Sequence, residues 1–270
     1  EVSGMAAGIP GPAVGALAGA LAAAGSQFAE MLRLVADPTR TAIGEWSVGE
    51  TAAHVASSAP FFLAVARGEQ EPESLNEVAA VNAVFLASDP ERDPPALAER
   101  STAGESALLA YAAGVDGDPI FELFRGVELP LSTLLAVELG EVLVHGYDIA
   151  RASGLAWPIG RAQAAAAAAG LLPLLPHLVD RQAAAGRRVR LELRIRAGER
   201  AVLDFDDGAL HISRSEGQPV DCRVSVDPVT YLLLTYGRIG PLAPMLQGRL
   251  AAWGRRPWLA MAFRSFFRKV

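Results

Sequence analysis

The apolar pattern of this chain changes its period near residues 181–187. Before this segment, apolar side chains recur at helical spacing. After it, residues 188–196 alternate charged with aliphatic side chains, which is typical of a strand with one wet face and one buried face. The change predicts a helical bundle at residues 1–183, followed at residues 184–270 by a small α+β domain with a mainly antiparallel sheet.

Two helices of the first domain have recognisable starts. Ser47 followed by Glu50 forms a capping box, in which each residue accepts a hydrogen bond from the backbone of the other. This box predicts a helix over about residues 48–67. Ser74 and Glu77 repeat the same spacing ahead of a second apolar pattern, so we expect a helix to begin there too.

Other elements follow from proline, glycine and alternation. Pro94 and Pro95 predict the start of a helix that reaches about Ala113, and Gly154 suits the left-handed residue that closes a helix over 132–152. An Ala-rich helix is expected over 161–180. Strands are predicted at 188–196, 201–205, 209–213 and 222–226, with Asp206-Asp207-Gly208 as a hairpin turn, and helices at 228–236 and 257–269.

Composition narrows the class of protein. Of the 270 residues, 51% are hydrophobic and 20% are charged, which describes a folded protein with a sizeable core. The net charge of -6 provides no basic stripe, so we expect no nucleic-acid partner. Cys222 is the single cysteine, which suits a reducing cytoplasm. Lys269 is the single lysine among 24 basic residues, a usage typical of GC-rich genomes such as those of actinobacteria.

The uncharged segment 2–29 is long enough to be tested as a membrane span. Glycine and proline at positions 8–12 interrupt it, and most of the rest is Ala and Gly rather than large apolar residues. It also lacks the basic start of a secretory signal. We therefore expect a flexible lead followed by a buried helix, no membrane contact, and a cytoplasmic protein that is a monomer or a small homo-oligomer.

A pair of possible metal ligands lies in the segment 132–152. Glu141 and His145 are four residues apart, so a helix would place them on one face, close enough to share an ion. Glu138 and Asp148 fall on the same face, and an acidic stripe in an apolar helix favours a cation or a wet cleft. A hydrogen-bonded core histidine with a carboxylate partner explains the pair equally well, so both readings stay open.

The chain has four histidines in all, and the other three are weaker candidates on their own. His54 lies in the predicted helix 48–67 among small residues, where another helix could approach closely. His177 and His211 have no acidic neighbour at ligand spacing, so we expect both to be structural. No nucleophile elbow, P-loop or dinucleotide-binding turn is present in the sequence.

Three segments together resemble a known family. Glu45-Trp-Ser-Val-Gly-Glu-Thr-Ala-Ala-His54 and Glu141-Val-Leu-Val-His-Gly-Tyr-Asp-Ile-Ala150 resemble the metal-site segments of the mycothiol-dependent maleylpyruvate isomerases. The segment 221–238 is similar to the second domain of that family, which is related to sterol carrier proteins. The resemblance implies a DinB-like four-helix bundle followed by a sterol-carrier-like α+β domain.

The resemblance implies that His54, Glu141 and His145 bind zinc or another divalent metal. Two imidazoles and one carboxylate with an open position are also a catalytic zinc pattern. The family's co-substrate is mycothiol, and coordination to a metal favours the nucleophilic thiolate form of a thiol. An isomerase would add the thiolate to a double bond, rotate the resulting single bond and eliminate the thiol, whereas an S-transferase would stop after addition.

The resemblance implies that the substrate is a small electrophile, and one class of such electrophiles carries a carboxylate group. We expect Arg238 or Arg249 in the second domain to act as a catalytic cation that binds the carboxylate, with an ordinary surface ion pair as the alternative for each. Two other functions stay open: a metal-dependent hydrolase or lyase that uses metal-bound water, and a non-enzymatic carrier of hydrophobic ligands.

Overall fold

A computed structural model describes residues 11–71, 74–75 and 77–268, so that residues 1–10 of the uncharged lead lie outside the described part. The described chain forms two compact units. One covers Ala13–Gln163, and the other includes residues 11–12 and 164–268 of the described chain. Most of the Ala-rich segment, which the sequence placed in the first domain, therefore groups with the second. None of the helices in the described residues is long and apolar enough to cross a bilayer.

The first unit contains a four-helix bundle, as the resemblance implied. The four helices of the bundle are α1 (Val14–Leu32), α2 (Val48–Ala66), α4 (Pro94–Gly114) and α5 (Leu131–Ser153), and a further helix, α3 (Val78–Ser88), lies outside it. Helices α1 and α2 each pack against both α4 and α5, and the shorter α3 packs on α2. The bundle core is rich in fully buried leucine, with Leu17, Leu97 and Leu135 among its members.

Two short hairpins, which the sequence analysis did not predict, lead directly into bundle helices. The first pairs β1 (Thr41–Ile43) with β2 (Trp46–Ser47), and the second pairs β3 (Ile120–Phe124) with β4 (Val127–Pro130). Strand β2 runs into α2 and β4 runs into α5. The hairpins therefore fix the starts of the two helices that carry the predicted metal ligands.

The ends of the helices test the capping predictions. The Oγ of Ser47 accepts from the backbone N–H of Glu50 at 3.2 Å, and the backbone N–H of Ser47 donates to Glu50 Oε2 at 2.8 Å, which confirms the capping box of α2. Helix α5 ends at Gly154 with φ 70°, as predicted. The second capping box was wrong, because α3 begins at Val78 and its N-cap, Glu77, makes no side-chain cap bond.

A five-stranded sheet forms the centre of the second unit. Its strands are β5 (Arg188–Ile195), β6 (Arg200–Asp206), β7 (Ala209–Arg214), β8 (Cys222–Val226) and β9 (Leu250–Gly254). They lie in the order β7-β6-β5-β8-β9, and neighbouring strands are antiparallel except for the parallel pair β5 and β8. The predicted turn between β6 and β7 is confirmed, with Asp207 and Gly208 at φ 47° and 85°.

Short helices cover the apolar face of this sheet. Strand residues such as Leu191 and Phe205 pack with Leu175 and Phe266 in one core cluster. The predicted helix at 257–269 is replaced by one short α-helix and one 3-10 helix. The remaining elements are α6 (Arg161–Gly170), a 3-10 helix (Leu172–Leu178), α7 (Pro228–Thr235), α8 (Leu242–Leu246), α9 (Leu259–Ala262) and a second 3-10 helix (Phe263–Phe266).

Candidate metal centre

The three predicted metal ligands meet between α2 and α5. The Nε2 atom of His54 lies 3.0 Å from Oε2 of Glu141, and the Nε2 atom of His145 lies 3.3 Å from the same oxygen. The exposed fractions of the side chains are 13% for His54, 19% for Glu141 and 10% for His145. Both imidazoles therefore converge on one carboxylate that remains partly accessible to solvent.

The electrostatics of the site favour a cation. Burial alone would raise the pKa of Glu141, but the interactions with His145 and His54 outweigh it and hold this pKa well below its ordinary value. Burial would lower the pKa of His145, but the interactions with Asp148 and Glu141 outweigh it and raise the pKa to about 9. The carboxylate is thus ionised, and a metal ion would compete with a proton on His145.

These residues fit a divalent metal ion. The three ligand atoms lie within 4.8 Å of one another. Ligands at tetrahedral zinc are about 3.3 Å apart when the bonds are about 2.0–2.1 Å long, so the two distances to Glu141 already match. In the described part of the chain, no second group of His, Cys, Asp and Glu side chains converges in this way.

Asp148 supports the centre from behind. Its Oδ2 atom lies 3.2 Å from Nδ1 of His145, and its side chain is 1% exposed. A carboxylate on the second nitrogen of a metal-binding histidine fixes the orientation and tautomer of the ring. The sequence placed Asp148 on the acidic stripe of α5, but the contact with Nδ1 requires the folded helix.

Trp46 is a site residue that sequence reasoning missed. Its indole centroid lies 5.2 Å from the ring of His54 and 6.4 Å from the ring of His145. The only sequence signal was its place directly before the N-cap Ser47, in the segment from Glu45 to His54 that resembles a metal-site segment of the family. That signal does not show which rings the indole would contact.

Glu138 belongs to the same stripe as Glu141 but does not join the metal centre. It is fully buried, and its Oε1 atom lies 3.0 Å from the Oγ of Ser58. Its Oε2 atom has no hydrogen-bond partner among the described residues. Burial is the main reason that the pKa of Glu138 lies well above its ordinary value. The stripe therefore contains an uncharged acid as well as ionised ligands.

The other candidate residues lie in the second unit. Arg238 is half-buried and its Nη1 donates to the carbonyl of Tyr236 at 2.7 Å, while Arg249 is exposed. His177 is partly buried in a 3-10 helix, and His211 is exposed on β7. Their catalytic and structural roles remain predictions.

Cys222 is a poor candidate for a nucleophile. It is free, fully buried on β8, and its Sγ lies 3.8 Å from the carbonyl oxygen of Pro257. Burial raises the pKa of its thiol, which disfavours the reactive thiolate.

Comparison with known proteins identifies the two domains. Residues 19–150 match the family described as mycothiol maleylpyruvate isomerase N-terminal domain. Residues 177–268 match the SCP-2 sterol transfer family. The first domain of the chain belongs to the mycothiol-dependent maleylpyruvate isomerase family. The prediction of this family from the segments around His54, His145 and Cys222 is thereby confirmed, and the prediction of an isomerase-type enzyme is confirmed at the level of the family.

Solved structures with a similar fold are known. The crystal structure of a mycothiol-dependent maleylpyruvate isomerase is similar to the chain with a TM-score of 0.51 and 16% identity, covering 88% of this chain and 92% of that one. A variant of that enzyme with one histidine replaced by alanine gives a TM-score of 0.52 at the same identity and coverage. At this identity the likeness shows the fold. No curated protein sequence matches this chain significantly.

Proposed function

We propose that this protein is a zinc-dependent or similar metal-dependent enzyme that uses mycothiol to isomerise a small electrophile or to transfer the thiol to it. The convergence of His54 and His145 on Oε2 of Glu141 carries the proposal. Membership of the family supports the choice of mycothiol as co-substrate.

The chain's own residues would bind and orient the ion. His54, Glu141 and His145 supply the three ligand atoms, and Asp148 keeps Nε2 of His145 facing the centre. When bound, a divalent metal would stabilise the thiolate form of a thiol whose unperturbed pKa is about 8.5. The partial exposure of the three ligands leaves a side from which a small thiol could enter.

The described residues favour an external nucleophile. Cys222 is buried in the second unit, and the hydroxyl groups of Ser57 and Ser58 donate to carbonyl oxygens of their own helix. A serine nucleophile needs a neighbouring base, and the carboxyl group beside Ser58 belongs to Glu138, whose raised pKa keeps it protonated. A thiol from solution is therefore the better source of the attacking group.

The reaction class follows from thiolate chemistry. The thiolate would add to a carbon–carbon double bond conjugated with a carbonyl, and the electron pair of that bond would move towards the carbonyl oxygen. The former double bond is then a single bond, about which the adduct can rotate. Return of the electron pair would expel the thiolate and give the isomer. An S-transferase would instead protonate the adduct and release it.

Arginine residues are proposed to hold a carboxylate of the substrate. Arg238 and Arg249 stay the candidates, because a permanently charged guanidinium matches the geometry of a carboxylate. Substitution of either by alanine is then expected to raise KM for a carboxylate electrophile more than for a neutral one. A thiol co-substrate also requires a reducing compartment, which supports the predicted cytoplasmic location.

A second candidate function concerns the second domain alone. Its match to the SCP-2 sterol transfer family favours the binding of a hydrophobic ligand. Two results together would support this carrier function over the enzyme. The protein would bind a hydrophobic ligand after the metal is removed, and it would show no thiol-dependent turnover.

Turnover with purified protein tests the proposal. Zinc-loaded protein is given maleylpyruvate and other electrophiles, with and without mycothiol, and products are identified by mass spectrometry. We expect turnover only when metal and thiol are both present, and near wild-type turnover for Cys222→Ala. Equal rates without thiol would instead favour a hydrolase or lyase that uses metal-bound water.

A further inference from the structure

Three aromatic rings pack together at the metal centre, two of them the imidazoles that contact Glu141. The rings of His54 and His145 meet edge to face, with centroids 5.1 Å apart and an interplanar angle of 82°. The indole of Trp46 lies 5.2 Å from the ring of His54 and 6.4 Å from that of His145. Each ring thus contacts the other two, and the indole lies on one side of the metal centre.

The two histidines are oriented in different ways. His145 has the carboxylate of Asp148 at ion-pair distance, 3.2 Å, from its Nδ1 atom, whereas in the described part of the chain no carboxylate is found at Nδ1 of His54. Metal-binding histidines are ordinarily fixed through their second nitrogen, since a free imidazole can turn about its Cβ–Cγ bond. For His54 the indole of Trp46 is the neighbouring group that can restrict this rotation.

The position of Trp46 is itself well determined. It pairs with Ile43 in the first hairpin, and the next residue, Ser47, is the N-cap of the helix that carries His54. The capping box and the strand pairing therefore hold the indole and the imidazole in one local unit. A rigid supporting residue of this kind is what keeps a ligand in a productive geometry.

The interaction would also respond to the metal. An imidazole that coordinates a divalent cation carries more positive charge than a free neutral ring. A positive group within about 6 Å of an indole centroid is attracted by the electrons of the ring. The contact between Trp46 and His54 would thus favour the state with metal.

We propose that Trp46 is a positioning residue of the metal centre, which holds the imidazole of His54 with Nε2 facing Glu141 and closes one side of the centre to ligands. The inference rests on the proposed metal-dependent function. It predicts that the loss of the aromatic ring weakens metal binding, whereas replacement by another ring preserves it.

Two substitutions and one control test this role. Trp46→Leu removes the ring, Trp46→Phe retains a ring, and Trp258→Leu changes an indole that is 62% exposed in the second unit. We expect Trp46→Leu to bind Zn²⁺ about 10-fold to 100-fold more weakly in competition with a chelator, as the loss of an outer-shell partner does. The affinity of Trp46→Phe for Zn²⁺ should stay within about 3-fold of wild type, a much smaller change than the loss of an outer-shell partner causes. The affinity of Trp258→Leu should match wild type.

Spectroscopy separates positioning from general packing. The visible absorption spectrum of the Co²⁺-loaded protein depends on the geometry of the ligands, so it should change in Trp46→Leu and be retained in Trp46→Phe. Labelling the four tryptophans with 5-fluorotryptophan gives a second readout that does not depend on a folded Trp46→Leu variant. The ¹⁹F resonance of Trp46, assigned by its loss in Trp46→Phe, should shift on addition of Zn²⁺, and that of Trp258 should not.

The possible outcomes are distinct. A wild-type protein that binds no Zn²⁺ would overturn both the metal centre and the role of Trp46. Tight binding by Trp46→Leu with an unchanged Co²⁺ spectrum, or a Trp46 resonance that does not respond to Zn²⁺, would overturn only the role of Trp46. Equal losses in Trp46→Phe and Trp46→Leu would likewise contradict a requirement for the ring.

Discussion

Glu138 and Glu141 lie about one turn apart on the same face of α5, yet their environments are opposite. Glu141 accepts from two imidazoles, and its pKa lies below the ordinary value. Glu138 is fully buried beside the hydroxyl of Ser58, and its pKa lies far above the ordinary value. Helical spacing decides which face a carboxyl group occupies, but its burial and its neighbours on α5 and α2 decide whether it is charged.

A second buried acid with a raised pKa, Glu105, lies in the same bundle. Glu105 on α4 is 5% exposed, and its Oε1 accepts from the Oγ of Ser101 at 3.1 Å. Its carboxyl group lies against the backbone of Gly25, where any Cβ atom would overlap it. Burial raises the pKa of Glu105 to about 7. The bundle therefore has a charged carboxylate at the metal centre and two buried acids with raised pKa values, Glu105 and Glu138.

The largest effect is expected for Glu105→Gln. A pKa of about 7 in the folded state, above 4.5 for the free group, means that the folded protein binds more protons between these values and loses stability as pH rises through them. Glutamine removes this penalty, so the free energy of unfolding at pH 8 should rise by up to roughly 3 kcal/mol, with little change at pH 4.

Urea unfolding of wild type and Glu105→Gln across a pH series measures this difference. Glu99→Gln is the matched control, since Glu99 lies on the same helix and is exposed. A gain at pH 8 no larger than that of the control would show that folding does not raise the pKa of Glu105, and the contrast between the two regions would fail.

A smaller effect is expected for Asp148→Asn. The amide cannot hold His145 as a carboxylate does, so the affinity for Zn²⁺ should fall about 10-fold to 100-fold. Glu138→Gln is the comparison, because an uncharged acid that binds no metal can be replaced by an amide with little consequence. Chelator competition measures both. If Glu138→Gln weakened binding as strongly as Asp148→Asn, the two ends of the stripe would be coupled rather than distinct.

The smallest effect is expected for Ser58→Ala. Its hydroxyl contacts the carbonyl of Val55 and Oε1 of Glu138, so its loss should lower the free energy of unfolding by about 1 kcal/mol and leave metal affinity unchanged. Ser57→Ala is the control, since its hydroxyl donates to the carbonyl of Ala53 on a partly exposed face. Thermal unfolding and Zn²⁺ titration of both variants would reveal any unexpected loss of metal.

Local signals explain how much of the fold could be predicted. The change of period near 181–187 correctly predicted the sheet whose first strand begins at Arg188, and Gly154 correctly predicted the end of α5. Strand β9 was missed, because Leu250–Gly254 has no alternation of polar and apolar residues and pairs only with the distant β8. The hairpin of β1 and β2 was missed for a related reason, since it is too short for a periodic pattern.

The contacts of the metal centre also differ in how far they could be predicted from local sequence. Glu141 and His145 were accessible to sequence reasoning because their contact is local to one helix. The contact of His54 with Glu141 spans 87 residues, and only the resemblance to the family suggested it. The position of Trp46 over both imidazoles follows from tertiary packing, which no spacing rule describes.

The central claim is that His54, Glu141 and His145 hold one metal ion. Elemental analysis after dialysis should find about one divalent metal per chain in wild type, His177→Ala and His211→Ala, because a three-ligand site accounts for all of the bound ion. His54→Ala, Glu141→Ala and His145→Ala should each lose the metal. Full occupancy in His54→Ala would contradict the claim, since α2 would then contribute no ligand to the centre.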